Sequence, residues 1–538
     1  MTSPPAATPG FAPRAEPPPA EMAGIARAAT IIAAGNVASR LLGLVRDTTK
    51  SYYFGATGPV SAFNIAAKVP MWFYDLLAGG MVSSALVPVF SEYARPEKRA
   101  ELWQIVSFLL TLTVLGLSLF MLAGELLASQ IAVLLGGGLS PETLALTASL
   151  LQITLPAMLF LNIAGILAGL LYALKRFTLP AFNAAIFNLG IVLATVIFAR
   201  QAGIRAMAIG LLLGAVFQVV LQLPGLRDSH LRVAFNWRHP AVRRIARLYF
   251  PIVLGLVVDM VSRAISYRLA SATGDQSIAW MDYATTLMQF PLGLTSTAVA
   301  VAILPTLARQ AADADNAVAR ARFLATLAQG LKLVLVLIIP ATAGLFLLAR
   351  PIVELIFEHG DFLASDTTMV TLVLRLYLLG LIAAAVDLPL VNAFYARQDA
   401  WTPAMVGLAG VFIYLGAALA PSLWRPMRLT DLIIANAVQL TSHALIMWTL
   451  LHRRMGNFRG HRLGTTVWQA GLGTILMLAI AWAGLLTMGR IHWPAAIIGE
   501  AATVAVPGIL GVLVYLGALS RMRIPEVALV RGLLQRRS

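Results

Sequence analysis

The chain has 538 residues, of which 59% are hydrophobic and 12% charged, and its formal net charge is +16 at pH 7. A mean hydropathy of +0.81 excludes an ordinary soluble domain and indicates a polytopic membrane protein. The chain has no cysteine, which excludes disulfides, thiol catalysis and cysteine metal sites. Residues 1–22 are rich in Pro and Ala without a hydrophobic run, and they are predicted to form a disordered cytoplasmic tail.

Hydrophobic segments long enough to span a bilayer then recur along the chain. About fourteen are predicted, with approximate limits 25–45, 60–92, 103–127, 142–172, 178–200, 203–226, 248–271, 278–308, 329–350, 366–395, 402–421, 430–451, 465–488 and 495–519. Some of the longest contain Pro and Gly, notably Pro70 with Gly79 and Pro291 with Gly293, which predicts bends beside a cavity. The predicted fold class is an all-α polytopic membrane protein.

The distribution of basic residues predicts the orientation of these segments. If the N-terminus lies inside the cell, the inner segments hold about three times as many Lys and Arg as the outer ones. This excess predicts cytoplasmic N- and C-termini in a bacterial-type inner membrane. The basic stretches are then explained as residues that fix the membrane orientation and contact anionic lipid, so no nucleic-acid partner is predicted.

An internal repeat divides the chain into two halves. Ser39-Arg40 recurs as Ser262-Arg263, and Tyr172-Ala173 recurs as Tyr395-Ala396, both at an offset of 223. Each unit holds six helices, so the halves cross in the same direction as two pseudo-symmetric lobes. The predicted parts are a six-helix N-lobe (23–226), a basic cytoplasmic linker (227–247), a six-helix C-lobe (248–451), a C-terminal pair of helices 13 and 14 (452–520) and a cytoplasmic tail (521–538).

Arg40 is the leading candidate for a functional residue because it stands inside the first spanning segment. An unpaired arginine at the centre of a bilayer costs from about +2.5 to more than +10 kcal/mol, so it is expected to face a cavity, a partner or a substrate. Snorkelling to the membrane surface is the alternative. The repeat gives Arg263 an equivalent depth, and Lys68 lies near the same level, so three cations are predicted to converge on a central cavity. For Arg263 the competing interpretation is an ion pair with Asp259, one helical turn away.

The stretches NVASRLLGLVRD (36–47), FGATGPVSAFNIAAKVP (54–70) and LKRFTLPAFNAAIFNLG (174–190) resemble the MviN/MurJ family of lipid II flippases, within the multidrug/oligosaccharidyl-lipid/polysaccharide exporter superfamily. The resemblance implies movement of an undecaprenyl-pyrophosphate-linked peptidoglycan precursor from the inner to the outer leaflet by alternating access, and no enzymatic activity. The implied partners are a polyprenyl-pyrophosphate glycolipid, membrane lipids and cell-wall synthesis proteins.

The resemblance also implies roles for individual residues of this chain. Arg40, Arg46 and Lys68 match basic positions of the family motif, and with Arg263 they are the predicted substrate-binding residues, since guanidinium and ammonium groups suit phosphate oxygens. No catalytic residue, metal or cofactor is predicted. Asp259 is a candidate site for a coupling Na⁺ or H⁺. A groove beside the last two helices is implied for the lipid tail.

Several family charges are replaced in this chain. An acidic position at the start of helix 2 is Ser61, basic positions after Pro70 are Tyr74 and Asp75, and an arginine of helix 8 is Thr286. These changes keep three alternatives open: an exporter of another lipid-linked glycan, a multidrug exporter of the same superfamily, or a cell-wall scaffold that transports nothing.

Overall fold

The computed structural model describes residues 19–236, 238–312, 317–456, 458–491, 493 and 496–522. Every regular element in these ranges is a helix, which confirms the predicted all-α class. Most of the predicted tails 1–22 and 521–538 lies outside the described residues. Helix α1 begins at Pro19, within the stretch predicted as tail.

The first half of the chain consists of ten helices, several of which pair end to end within one predicted span. They are α1 (Pro19–Phe54), α2 (Gly58–Tyr74), α3 (Val87–Tyr93), α4 (Arg99–Leu126), α5 (Ala128–Gly136), α6 (Pro141–Thr154), α7 (Ala157–Ala173), α8 (Thr178–Ala181), α9 (Asn183–Ala202) and α10 (Arg205–Gln222). Two π-helical stretches, Asp75–Gly79 and Val82–Leu86, lie between α2 and α3.

The second half has the same kind of organisation and is followed by two long helices. Its helices are α11 (Pro240–Ser271), α12 (Ser277–Leu292), α13 (Ala298–Ala311), α14 (Ala317–Leu347), α15 (Ala349–Phe357), α16 (Ala364–Ala396), α17 (Trp401–Leu419) and α18 (Leu429–Met455), and the final pair is α19 (Leu463–Met488) and α20 (Ala496–Arg521). A π-helical stretch, Gly293–Thr297, joins α12 to α13.

The number of spanning helices agrees approximately with the predicted fourteen. In the described ranges, twelve helices are long and apolar enough to cross a membrane, or thirteen if α11, which bends by 49° between Phe250 and Gly255, is one span. Of the fourteen predicted segments, only 60–92 does not correspond to one of these described helices. Its longest α-helical piece, α2, has 17 residues, about 26 Å, which is shorter than a bilayer core of about 30 Å. The π-helical stretches therefore divide this span rather than end it.

The predicted end of the first span, near Val45, is wrong. Helix α1 continues without a break to Phe54, so Arg46, Asp47 and Lys50 all lie inside the helix. The continuation is physically tolerable because these charges neutralise one another and a carboxylate of the other half. Charged residues that find partners need not mark the end of a membrane helix.

Backbone irregularities recur at nearly the offset of the sequence repeat. The π-helical stretch Asp75–Gly79 in the first half corresponds to Gly293–Thr297 in the second, at an offset of 218. Lys175 after α7 and Gln398 after α16 both adopt left-handed backbone, with φ of 60° and 58°, at an offset of 223. Non-glycine residues rarely adopt positive φ. The two halves therefore share their bends and turns as well as their sequence motifs.

The end of the helix bundle at which α1 ends, here called the distal end, is closed by contacts between the halves. The turn at Gly55 meets the turn at Gly360, where the amide of Asp361 donates to the carbonyl oxygen of Tyr52 at 3.0 Å. Both glycines have positive φ, and a Cβ at either would lie within 2.4 Å of a backbone oxygen of the other turn. Only glycine permits this approach. Tyr283 adds a hydrogen bond from its hydroxyl to the Gly55 carbonyl at 2.8 Å.

A second distal contact is centred on Asp275, in the turn between α11 and α12. Its carboxylate accepts hydrogen bonds from the Ser140 amide at 2.8 Å, the Ser140 hydroxyl at 2.5 Å and the Thr143 hydroxyl at 2.9 Å. Nearby, the Gly138 amide donates to the Ser271 hydroxyl at 3.1 Å. Burial opposes ionisation of Asp275, but these hydrogen bonds outweigh it and hold its pKa below the usual carboxyl value. The contacts that close the distal end, here called the distal seal, therefore include an ionised carboxylate, that of Asp275.

We expect the distal seal to be insensitive to pH between 8 and 5. A lowered pKa contributes stabilisation that is complete above the ordinary carboxyl value of about 3.9 and is lost only as the pH falls through the lower value in the sealed state. Because the chain has no cysteine, a single Ala56→Cys probe, at a site with no exposed surface, reports opening through its labelling by a maleimide. Labelling should stay slow from pH 8 to 5 and accelerate at every pH in Asp275→Asn. Acceleration between pH 8 and 5 in the Asp275 protein would contradict this assignment.

Candidate functional site

A buried ion pair joins α1 to α12 near the distal end. The Lys50 ammonium lies 2.7 Å from a carboxylate oxygen of Asp282, and the two side chains are only 3% and 15% exposed. The same ammonium lies 3.5 Å from Asp47 and 4.6 Å from the ring centre of Tyr283. A buried lysine needs such partners because desolvation of an isolated ammonium costs several kcal/mol. This pair connects the two halves of the molecule.

Two predicted substrate residues belong to the same charge network. The Lys68 ammonium lies 3.8 Å from the second carboxylate oxygen of Asp282. Arg46 pairs with Asp47 at 2.9 Å and donates to the Asn188 side-chain oxygen at 3.0 Å. Both cations are partly exposed, Lys68 by 35% and Arg46 by 26%. Each therefore presents one side to a carboxylate and another to open space.

Arg40 differs from the other cations because, among the described residues, no hydrogen-bond acceptor or carboxylate pairs with it. Its guanidinium lies over the π-helical start at Gly293, with Nη2 2.6 Å from where a Cβ on this glycine would be. Arg40 and Arg46 line one cavity of about 450 Å³ between α1 and α12, together with Thr286 and Gln289. The exposed guanidinium thus faces a cavity between the halves rather than the membrane surface.

Arg46 also borders a second cavity, inside the first half. This cavity has a volume of about 500 Å³, and its lining includes the polar side chains of Tyr74, Asp75, Asn183 and Gln218. The two cavities therefore share one guanidinium. An anionic group bound between α1 and α12 would have uncharged amide and phenol groups within reach on the other side of Arg46.

Arg263 is placed apart from the other predicted cations. It forms the predicted ion pair with Asp259, at 2.9 Å, and both side chains are more than half exposed. Asp259 lines a third cavity, of about 680 Å³, in the second half. Arg263 and Lys68 both act electrostatically on Asp75, so Arg263 still contributes to the field of the central region. The structure places Arg40 and Arg46 on one cavity and links Lys68 to the same network through Asp282, whereas Arg263 is paired with Asp259.

Sequence reasoning missed Lys50 and Asp282, whose buried ion pair joins the two halves. Lys50 lies beyond the predicted first span, 25–45, although α1 in fact continues to Phe54. Asp282 falls four residues inside the predicted segment 278–308, and an ionisable residue within a span is itself a functional signal. The i, i+3 spacing of Asp47 and Lys50 was a second signal.

An apolar groove lies on the membrane-facing side of the second half, with a volume of about 650 Å³. It runs between α14, α16 and α19, and its lining includes Phe346, Leu378, Ile382 and Trp482. Only one of the last two helices, α19, contributes to it. The groove suits an alkyl chain, since it offers almost no polar surface for a headgroup.

The comparison with known proteins decides the family. The family model described as "Lipid II flippase MurJ" matches residues 50–497. The lipid II flippase MurJ of Burkholderia cenocepacia is 30% identical over 397 residues, which cover 72% of this chain and 76% of that protein.

The chain belongs to the lipid II flippase MurJ family. A probable lipid II flippase MurJ of Vibrio cholerae is 29% identical over 484 residues, covering 86% of this chain and 88% of the relative. These matches confirm the predicted resemblance. The family is one of transporters rather than enzymes.

Solved structures agree with this assignment at the level of the fold. A lipid II flippase MurJ in an inward closed conformation matches with a TM-score of 0.75 and 23% identity, over 92% of this chain and 98% of the other. An inward-facing multidrug transporter of the MATE family matches with a TM-score of 0.67 and 12% identity, over 78% of this chain and 94% of the other. Sequence similarity therefore lies with the MurJ relatives, and the MATE likeness concerns the fold alone.

The replaced family charges now have structural positions. The Ser61 hydroxyl accepts a hydrogen bond from the Ala279 amide at 3.1 Å, so this position joins the halves and does not face a cavity. Thr286 donates to Asp47 at 3.3 Å, beside the charges of Arg46 and Lys50. Lys50 thus provides a cation close to the place where the family arginine is absent.

Removal of Asp282 should destabilise the protein more than removal of an exposed aspartate. In Asp282→Asn, Lys50 and Lys68 lose their shared carboxylate, and leaving a buried charge without its partner costs about 3 kcal/mol. The matched control is Asp259→Asn, which breaks an exposed pair worth less than about 1 kcal/mol. Intrinsic tryptophan fluorescence during heating of the purified variants measures the difference. Equal losses of apparent melting temperature would contradict the assigned role of Asp282.

Proposed function

We propose that this chain is a flippase that moves lipid II, an undecaprenyl-pyrophosphate-linked peptidoglycan precursor, from the inner to the outer leaflet by alternating access. The observation that carries the proposal is Arg40, a guanidinium without a partner among the described residues and directed into a cavity between the halves. Keeping such a group unpaired inside a membrane span is costly, so a bound anion is the natural partner. A pyrophosphate supplies several oxygens for it and for Arg46.

The charge balance of the central region supports an anionic ligand of modest charge. In the described part of the chain, the region around α1, α2 and α12 holds four cationic and three anionic side chains, namely Arg40, Arg46, Lys50 and Lys68 with Asp47, Asp75 and Asp282. The Lys50 ammonium is paired with the Asp282 carboxylate. The cations available to a ligand are Arg40, with Arg46 and Lys68 contributing their open sides.

The remaining features fit the same cycle. The apolar groove beside α19 offers an apolar surface for a part of the polyprenyl tail. We propose that the termini lie in the cytoplasm of a bacterial-type inner membrane, and in that orientation the closed distal end is the outer end. Asp259 lines the cavity of the second half, and we retain it as a candidate for binding the coupling Na⁺ or H⁺. Cell-wall synthesis proteins remain proposed partners.

The test of this proposal is replacement of the flippase in a strain depleted of its own. The intact chain should restore growth and normal cell shape, and Arg40→Ala should fail at matched membrane levels, since loss of a charge-assisted contact lowers transport at least about tenfold. Arg375→Ala is the matched control. Arg375 is also an arginine within a span, but it stacks on Phe346 and donates to that residue's carbonyl oxygen.

The same variants reconstituted with lipid II in vesicles separate the alternatives. Rescue without flipping in vesicles would indicate a scaffold. Binding of an amphiphilic cation such as ethidium, without flipping, would indicate a drug exporter. Equal rescue by Arg40→Ala and the intact chain would remove the proposed role of Arg40.

We expect Gly293→Ala to reproduce much of the Arg40→Ala defect. A methyl group on residue 293 would lie 2.6 to 2.8 Å from the Arg40 guanidinium nitrogens, so the side chain must leave its position over the π-helical stretch. Lipid II flipping in vesicles should fall about tenfold, as expected for one lost charge-assisted contact. Gly116→Ala, in α4 with no neighbouring atom within 4 Å, is the control. Normal flipping by Gly293→Ala would show that the position of Arg40 is not critical.

A further inference from the structure

The segment that joins the two halves, residues 228–239, is held at both ends by the first half. Its described residues form neither helix nor strand. At its start, Asp228 lies 3.8 Å from Arg99, the first residue of α4. At its end, the ring of His239 packs against that of Tyr93, the last residue of α3, with ring centres 5.8 Å apart. Both ends of the segment therefore lie where α4 begins, here called the proximal end of the bundle.

Between its ends the segment runs along the spanning helix α4. The Arg232 amide donates to the Ser107 hydroxyl at 3.0 Å, and the Ala234 amide donates to the Thr111 hydroxyl at 3.1 Å. Four residues of an α-helix advance about 6 Å and two residues of extended chain about 6.6 Å, so the spacing of the hydroxyls matches that of the amides. The extended backbone is therefore attached to α4 at two successive points.

The two hydroxyls lie well inside the apolar part of α4. Residues 102–124 contain no ionisable side chain, and their helical length of about 34 Å is close to that of a bilayer core of about 30 Å. Ser107 and Thr111 stand about 8 and 14 Å from the start of this stretch. Five residues of extended chain cover up to about 18 Å, which is enough for the return from Ala234 to His239. The segment thus enters the depth of the membrane and comes back to the proximal end.

Non-helical backbone at such a depth is tolerated only where its polar groups have partners. Ser107 is only 1% exposed, and its hydroxyl accepts from the segment. The Thr111 hydroxyl donates to the Ser107 carbonyl oxygen at 2.7 Å, which orients its oxygen to accept from the Ala234 amide. Helix α4 therefore supplies acceptors to the segment in a region without water.

The side chains of the segment fall into two sets. Leu231 and Ala234 pack against the core of the first half. Val233 and Phe235 face away from this core and are 75% and 67% exposed. The same spanning helix also exposes the apolar side chain of Leu115. The surface of Val233 and Phe235 therefore continues the lipid-facing surface of α4.

Basic side chains flank this apolar surface. Arg227, Arg232 and Arg238 are exposed, and no carboxylate among the described residues pairs with them. A long arginine side chain reaches the headgroup level from a position below it, and cations at the membrane surface are attracted to anionic headgroups. Exposed apolar side chains with arginines around them are complementary to a phospholipid leaflet.

We propose that residues 228–239 form a re-entrant loop that inserts Val233 and Phe235 into the hydrocarbon of the proximal leaflet, so that phospholipid is the partner of this surface. The loop lies in a stretch for which the sequence predicts a cytoplasmic linker, 227–247. The covalent connection between the halves is thereby fixed to the first half and to the leaflet. When the halves move relative to one another, the loop moves with the first half.

The first experiment measures the depth of the loop. Because the chain has no cysteine, Val233→Cys carries a single nitroxide label, and the labelled full-length protein is placed in vesicles of phosphatidylcholine and phosphatidylglycerol. Electron paramagnetic resonance compares collisions with oxygen, which concentrates in hydrocarbon, and with the water-soluble complex NiEDDA. Leu115→Cys on α4 is the lipid-exposed control, and Glu97→Cys, exposed in the turn before α4, is the aqueous control.

We expect the label at residue 233 to behave like the label at residue 115, with oxygen as the more effective collision partner. The behaviour of residue 97, with NiEDDA more effective, would overturn the inserted loop and indicate a surface that faces water or another protein. Neither result depends on lipid II, so failure of the loop leaves the proposed flippase function standing.

The second experiment removes the hydroxyls that hold the loop. In the double variant Ser107→Ala with Thr111→Val, two loop amides lose their acceptors in a medium without water, so the loop should leave the hydrocarbon. The accessibility of the label at residue 233 to NiEDDA should rise about fivefold or more, as expected for lost hydrogen bonds. The depth measured in the chain with unchanged hydroxyls stands whether or not this variant folds.

The matched control is the double variant Thr113→Val with Ser118→Ala. It removes two hydroxyls of the same helix, and neither bonds to a residue of the loop in the described part of the chain. The accessibility of residue 233 should stay unchanged in this control. Equal accessibility in the two double variants would overturn the role of Ser107 and Thr111 in holding the loop.

Discussion

The contact on which the central region depends is the buried ion pair between Lys50 and Asp282. A charge in the interior of a membrane protein must be neutralised by another charge, and this requirement draws α1 and α12 together from opposite halves of the chain. Asp282 also holds Lys68, and Asp47 holds both Lys50 and Arg46. Because the carboxylates satisfy these cations, Arg40 is left as the guanidinium with the most freedom to meet a ligand.

The local backbone geometry of the second half determines where the Arg40 guanidinium lies. The π-helical stretch that begins at Gly293 has no Cβ where Arg40 lies, so α1 can pass close to α12 with an arginine between them. The equivalent irregularity in the first half, Asp75–Gly79, borders the cavity on the other side of Arg46. Since π-helical stretches in α-helices occur frequently at functional sites, their placement at both cavities connects the bends in the helices with ligand binding.

The repeat makes the differences between the halves informative. Both halves share left-handed turns and π-helical stretches at matching places, so these features belong to the common architecture. Arg40 and Arg263 are sequence equivalents, yet Arg40 is unpaired within the described residues while Arg263 holds Asp259. Gln222 and His443 likewise occupy matching levels with different chemistry. The two halves therefore carry different charges at matching positions of a shared fold.

The sequence by itself determined the membrane class, the helical fold, the internal repeat and the family, because hydropathy, positional repeats and motif residues are all local or periodic properties of the chain. It also identified Arg40, whose charge is conspicuous in a hydrophobic segment, and the Asp259–Arg263 pair, whose partners are one helical turn apart. Tertiary structure alone decided which cations remain open to a ligand, since Lys50 and Asp282 are 232 residues apart. Partners at such distances leave no periodic signal, and their neutralisation also allowed α1 to continue to Phe54 through charges that were expected to end it.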